Sequence, residues 1–178
     1  MKWLVVLVLA GCGVDERPIV EPTRFAGKVD GSNALVFVVA DPSLTSAFAC
    51  DGTTSPALFQ WFSAGTAAQM TLTSDDGTAT LAIDLDAGTG TLGTQSFSLA
   101  AIDDSFGLYR GSKIEDDRTY EAGIVLLDDA TQNGVVGITE AGALTTLVTP
   151  RISTSQVAVT LLNGVRIPLA IVNNAYVR

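Results

Sequence analysis

From Arg24 onward, apolar side chains recur at every second residue, and this period limits the fold more than any other feature. Met70 and Leu72 alternate with Thr71 and Thr73. Ala79, Leu81 and Ile83 alternate with Thr78, Thr80 and Asp84, and Phe97, Leu99 and Ala101 with Ser96 and Ser98. Val157, Val159 and Leu161 repeat the pattern near the end. A strand sends successive side chains to opposite faces, so this is the signature of half-buried strands. Other runs are apolar on both faces: Ala34 to Ala40, Ile124 to Leu127 and Leu169 to Val172. Such runs predict central strands, or strands covered on both sides.

Turn chemistry separates the runs. Asp30-Gly31-Ser32-Asn33, Asp75-Asp76-Gly77, Ala87-Gly88-Thr89-Gly90, Asn133-Gly134, Ala141-Gly142 and Asn163-Gly164 all read as hairpin turns. Gly, Asn and Asp tolerate the positive φ that tight hairpins require. Thr, Val and Ala dominate where a helix would use Leu, Glu and Lys. Ala64 to Ala68 has room for one helical turn. The expectation is an all-β, antiparallel meander of roughly ten to twelve strands. Closure into a barrel, or a strongly coiled sheet, would remove its edges; a β-sandwich is the alternative. Pro150 to Gln156 reads as a polar connection and Val157 to Val172 as a final hairpin.

The N-terminus has a different character. Lys2 supplies a positive charge, Trp3 to Leu9 is apolar, and small residues lead to Cys12. The apolar run is far short of the roughly 20 residues that cross a bilayer as a helix, and its plan is that of a signal peptide. Leu9-Ala10-Gly11-Cys12 resembles the lipobox of bacterial lipoproteins. The resemblance implies a diacylglycerol on the Cys12 thiol, cleavage before it, and acylation of the new amine. One acyl chain anchors marginally, and two or more anchor stably. The division expected is a leader over 1–11, lipidated Cys12 and a tether over 12–23, and a single β domain over 24–178. Gly13 carries no clear retention signal, so the outer membrane is expected where the cell has one.

Charge narrows the partners. The formal net charge is −9, and loss of the +1 of Lys2 with the leader takes it to −10. Such a chain is a poor partner for nucleic acid, which requires cations on its phosphates, or for anionic lipid surfaces. Membrane contact is therefore expected through the acyl chains alone. With Cys12 acylated, Cys50 has no partner within the chain, and a half-buried, unreactive thiol is expected there. Histidine is absent, which removes the commonest general base and metal ligand and any Ser-His or Cys-His pair.

A second set of motifs runs along the middle of the chain. Phe25-Ala26-Gly27-Lys28-Val29-Asp30-Gly31 is followed by Phe48-Ala49-Cys50-Asp51-Gly52, Gln60-Trp61-Phe62, Phe97-Ser98-Leu99 and Gly107-Leu108-Tyr109-Arg110. Gly123 to Asp129 and Gln132-Asn133-Gly134 close the series. In this order, over about residues 25 to 137, they resemble an uncharacterised β module of exported bacterial proteins. Asp129 stands where that module often has Gly. The resemblance implies an exported β module and supplies no catalytic residue.

Two residues stand out as candidates for binding. Gln60-Trp61-Phe62 puts aromatics on both faces of one strand, and Trp61 either fills a core or stacks on a ligand. Arg110 follows Phe106 and Leu108 at period two and so shares their face. The first expectation is that Arg110 lies past the strand end and reaches water; if its face is the core, the charge must be paired, with Asp51 and Asp84 as candidate partners, and an anionic-ligand site is the third reading. The acidic pairs at Asp51-Gly52, Asp75-Asp76-Gly77, Asp103-Asp104, Asp116-Asp117 and Asp128-Asp129 read as turn caps, with a weak calcium site from neighbouring loop tips as the alternative. No metal or cofactor is expected. The function expected is a lipid-anchored envelope protein whose β domain is non-catalytic and serves binding, of an envelope protein or a small ligand, or structure. The alternatives are a barrel that carries a small apolar ligand and, more remotely, a carboxylate-dependent hydrolase.

Overall fold

The computed structural model describes residues 21–51, 56–102, 107–126, 132–141, 143–148, 151–153 and 158–172. The leader, Cys12, Phe106, and the pairs Asp103-Asp104 and Asp128-Asp129 lie outside the described residues. Seventeen strands and no helix occur among the described residues. All strand pairs are antiparallel. The larger number of strands arises because β8 (Gln95–Ser98) and β9 (Ala100–Ile102) divide at Leu99, and because the C-terminal part consists of very short strands.

Sheet I contains β1 (Thr23–Lys28), β2 (Leu35–Ala40), β3 (Thr45–Cys50), β4 (Phe59–Ala64) and β9, in the order β4-β3-β2-β1-β9. Sheet II is the meander β5 (Gln69–Thr73), β6 (Thr80–Asp84), β7 (Thr89–Leu92) and β8. Sheet III contains β10 (Gly107–Glu115), β11 (Arg118–Leu126), β12 (Gln132–Glu140), β13 (Ala143–Val148) and β17 (Ala170–Ile171), in the order β13-β12-β11-β10-β17. Sheet IV is β14 (Arg151–Ser153), β15 (Ala158–Thr160) and β16 (Arg166–Pro168).

No sheet closes into a barrel among the described residues; the sheets stack as layers in the order II, I, III, IV. Three apolar clusters define the order. Val36, Val38 and Phe62 of sheet I meet Leu72, Leu81 and Phe97 of sheet II. On the other face of sheet I, Phe37, Phe48 and Trp61 meet Leu108, Val125 and Val135 of sheet III. Tyr120, Ile124 and Val136, on the far face of sheet III, meet Val159 and Ile167 of sheet IV. The doubly apolar strands are the physical reason. β2 and β3 are buried almost throughout, and stacking covers both of their faces. The barrel expectation is thus corrected in favour of the sandwich-like alternative.

An aromatic ladder fixes the contact between sheets I and III. Phe37 pairs with Phe48, and Phe48 with Trp61, in register across β2, β3 and β4. The Phe48 ring lies 4.6 Å from the Trp61 ring and 5.5 Å, edge-on, from Phe59. It projects against Gly123 of β11, where a Cβ would collide with its ring. Asn133-Gly134, expected as a turn, lies inside β12; a Cβ on Gly134 would sit 2.6 Å from Ile124 Cδ1, so packing explains that glycine. The tight turn between β10 and β11 is instead Asp116-Asp117, with φ of 50° and 60°, a pairing typical of two-residue hairpins.

Other expectations are corrected near the ends of elements. Ala64 ends β4, and the residues after it form no helical turn. Pro150 to Gln156 includes strand β14. The expected final hairpin divides between sheets IV and III, because β17 leaves sheet IV to pair with β10. Leu169 to Val172 is thus an edge and not a central strand, with Ala170 and Ile171 exposed.

Candidate functional site

Trp61 and Arg110 come together. Trp61 belongs to β4, an edge strand of sheet I, and odd positions of β4 face sheet III while Phe62 faces sheet II. Arg110 continues the Leu108 face of β10 toward sheet I, as its period predicts. Its Cζ lies 4.8 Å from the centre of the Trp61 ring. A guanidinium over an indole face is attracted by the ring quadrupole.

The turn between β5 and β6 completes the arrangement. Phe62 and Ser74 form an isolated bridge, and the Asp75 N–H donates to the Trp61 carbonyl at 2.8 Å. The turn therefore folds back over the free edge of β4. Gly77, at φ 75°, permits the tight reversal. Asp75 is carried to Arg110, with Nη1 to Oδ2 at 2.8 Å, and Glu121 of β11 lies 3.6 Å from Nη2. One side chain of sheet III thus contacts β4 of sheet I and the first turn of sheet II.

Asp76 has a different task. Its Oδ1 accepts from Ser74 Oγ at 2.6 Å and from the Thr78 N–H at 3.0 Å, and its Oδ2 from Gln60 Nε2 at 3.2 Å. Burial alone would raise this carboxyl, but those hydrogen bonds outweigh it and hold it at about 2. Asp76 is an ionised turn cap.

These groups border an open cleft of about 510 Å³. Phe59, Gln60 and Trp61 form one side, and Arg110, Glu121 and Thr139 part of the other, where sheet III extends past the edge of β4. Leu144, 53% exposed, adds an apolar patch to the rim. Trp61 is only 4% exposed, and its buried Nε1–H has no hydrogen-bond partner among the described residues. Such a donor costs on the order of 1–3 kcal/mol relative to a satisfied one. One guanidinium and three carboxylates, those of Asp75, Asp76 and Glu121, line the cleft, so it is acidic.

The remaining candidates lie elsewhere. Asp51, a candidate partner of Arg110, accepts from the Ala57 N–H at 2.7 Å. Asp84, the other, accepts from Gln69 Nε2 at 2.7 Å and from the Ala87 N–H at 2.8 Å; the hydrogen bonds from Ala87 and Gln69 lower its pKa. Both serve local loop geometry, so the partners are corrected to Asp75 and Glu121. Glu121 was reachable from sequence: a turn at Asp116-Asp117 pairs Ser112 with Glu121 and places it diagonal to Arg110. Asp75 was not, because only the docking of sheet II brings it there. Cys50 is completely buried as a thiol between sheets I and III, deeper than the half-burial expected. Among the described residues, no three Asp, Glu or Cys side chains are placed to hold a metal ion. No helix among them is long and apolar enough to cross a membrane.

No protein-family model matches the chain, and no curated protein or solved structure matches it either.

Proposed function

We propose that this chain is a bacterial envelope lipoprotein, anchored through acyl chains on Cys12, whose β domain recognises a ligand or partner without catalysing a reaction. The leader plan and the Leu9-Ala10-Gly11-Cys12 sequence support the anchor. The exported β module that the middle of the chain resembles is consistent with that compartment. The outer membrane is its place in a cell that has one.

One observation carries the reading of the domain. The aromatic and the cation best suited to recognition meet in a single cleft, and the carboxylates around them already have partners. Hydrolysis by two carboxyls requires one of them to stay protonated near neutral pH. Asp75 and Glu121 face the Arg110 guanidinium and Asp76 accepts from Ser74, Thr78 and Gln60, surroundings that favour the ionised form of a carboxyl. A carrier reading requires an enclosed apolar space; the space between sheets I and III is occupied by Phe37, Phe48, Trp61 and Val125. A ligand of this domain therefore sits at its surface, and the net charge of −9 disfavours nucleic acid.

The test is expression of the full chain and of Cys12→Ala in a bacterial host, with cell fractionation and palmitate labelling. The reading expects label and membrane retention for the first, and loss of both for the second. An unlabelled wild-type chain, or a Cys12→Ala chain still held in membranes, refutes the anchor.

A further inference from the structure

We infer that Asn163, at the tip of the β15–β16 hairpin, is a site of spontaneous backbone modification, and that Asn133 is protected from the same reaction by its place in β12. The reaction requires only the chain and water. The Gly164 nitrogen attacks Cγ of Asn163 and forms a C–N bond. The side-chain amide leaves as ammonia and takes up the Gly164 amide proton. Water then opens the five-membered imide at one of its carbonyls, giving aspartate or isoaspartate. Either product adds one negative charge to the chain.

Asn133-Gly134 and Asn163-Gly164 both have the side chain for this ring closure and a neighbour without a Cβ to block it. Their surroundings differ. At Gly164 a Cβ would meet nothing within 4 Å, and Leu162, on the other side of Asn163, is fully exposed. The tip is held by its own hydrogen bonds. The Gly164 N–H donates to the Leu161 carbonyl at 2.9 Å, and the Val165 N–H to Asn163 Oδ1 at 3.2 Å. Exposed tips open at much lower free energy than core strands, and opening frees both the Gly164 nitrogen and the Asn163 side chain. Gly134 is buried and pairs with Ile124 of β11. A Cβ there would lie 2.6 Å from Ile124 Cδ1 and 2.7 Å from the Gly123 carbonyl oxygen. The Asn133 backbone cannot turn its Cγ onto that nitrogen until β12 leaves the sheet. The consequence at Asn163 reaches the core. Isoaspartate inserts a methylene into the main chain inside the loop that the Leu161 N–H closes on the Val165 carbonyl at 2.9 Å. That loop sets β15 against β16, whose Val159 and Ile167 cover Tyr120, Ile124 and Val136 of sheet III.

The full chain is incubated in mildly alkaline buffer and, in parallel, in guanidinium chloride. Trypsin cleaves after Arg118, Arg151 and Arg166, which puts the two Asn-Gly pairs on separate peptides for mass spectrometry. In buffer the Asn163 peptide should convert at least about tenfold faster than the Asn133 peptide, and in denaturant the two should convert at similar rates. An Asn163 peptide that stays unmodified in buffer, or converts no faster than the Asn133 peptide, overturns the inference. Aged wild-type chain should unfold at a lower temperature than fresh protein, whereas Asn163→Ser aged alongside it should not change. An equal fall in both, or no fall in the modified wild type, overturns the consequence for sheet IV.

Discussion

Arg110 lies across the face of Trp61 with its Cζ 4.8 Å from the ring centre, while its Nη1 pairs with Asp75 at 2.8 Å. The contact links three of the four sheets through one side chain. It also covers an indole that would otherwise border the cleft openly.

Arg110→Ala should therefore loosen the corner without unfolding the domain. An exposed ion pair contributes about 0.2–1 kcal/mol and an exposed cation–π contact about 0.5–1 kcal/mol, so a loss of about 1 kcal/mol is expected. Urea denaturation measures it. In the Trp3→Phe background, Trp61 emission should shift to the red in the native state. Arg110→Lys should keep part of the stability and lose the flat stacking. Unchanged emission in Arg110→Ala would show that the guanidinium does not cover the ring.

Two glycines of sheet III separate packing from the cleft. Gly123→Ala drives a methyl into the Phe48 ring between two fully covered sheets. Overpacking of this kind costs about 1–3 kcal/mol, and a lowered denaturation midpoint should show it. At Gly137 a Cβ would lie 3.2 Å from Leu144 and 3.3 Å from Phe59, contacts that small movements relieve. Gly137→Ala should be nearly neutral in stability, since glycine is itself unfavourable within a strand. It should still narrow the cleft and weaken ligand binding. Equal stability of the two variants would contradict the packing described for Phe48.

Acid should weaken the fold below about pH 4. The Asp76 carboxyl is held at about 2, against an ordinary value of 3.8. Asp41 is also lowered: burial opposes this, and hydrogen bonds from the Ser43 and Leu44 N–H groups and the Ser43 hydroxyl outweigh it. A group depressed in the folded state stabilises it fully above its unfolded value, and that contribution is lost as pH falls through the folded one. The midpoint of thermal unfolding should thus fall between pH 4 and pH 2, and by less in Asp76→Asn than in the wild type. An identical fall in both would show that Asp76 does not contribute.

Cys50 should be silent toward thiol reagents until the protein unfolds. It is wholly buried between sheets I and III. Reaction with Ellman's reagent should be slow in buffer and complete in denaturant, followed in Cys12→Ala so that only one thiol is present. Fast labelling of the native protein would show that those layers open readily.

The local period carried far in this chain. Alternation at Met70 and Leu72, at Leu81 and Ile83, and at Leu108 and Arg110 placed each residue on the face it occupies, because side-chain direction in a strand is set by the backbone. Runs apolar on both faces, as in β2 and β11, marked the covered sheets for the same reason. Layer order was not legible: the same alternation fits a closed barrel or stacked sheets, and the choice depends on contacts distant in sequence. Asn133-Gly134 misled because the Gly134 position is dictated by the neighbouring Ile124 and not by a turn. In the site, Trp61 and Arg110 stood out by residue type and period, whereas Asp75 became a partner only through the fold of the β5–β6 turn onto β4.

The most direct test of the central claim, that this cleft is where the domain meets its ligand, is amide and indole chemical-shift mapping. The 15N-labelled full chain is titrated with a soluble extract of bacterial envelopes. Shifts that cluster at Gln60, the Trp61 indole N–H, Asp76 and Thr139 are expected. Shifts confined to the outer face of sheet II around Thr71 and Thr91, or no shifts at the highest extract concentration, would contradict it.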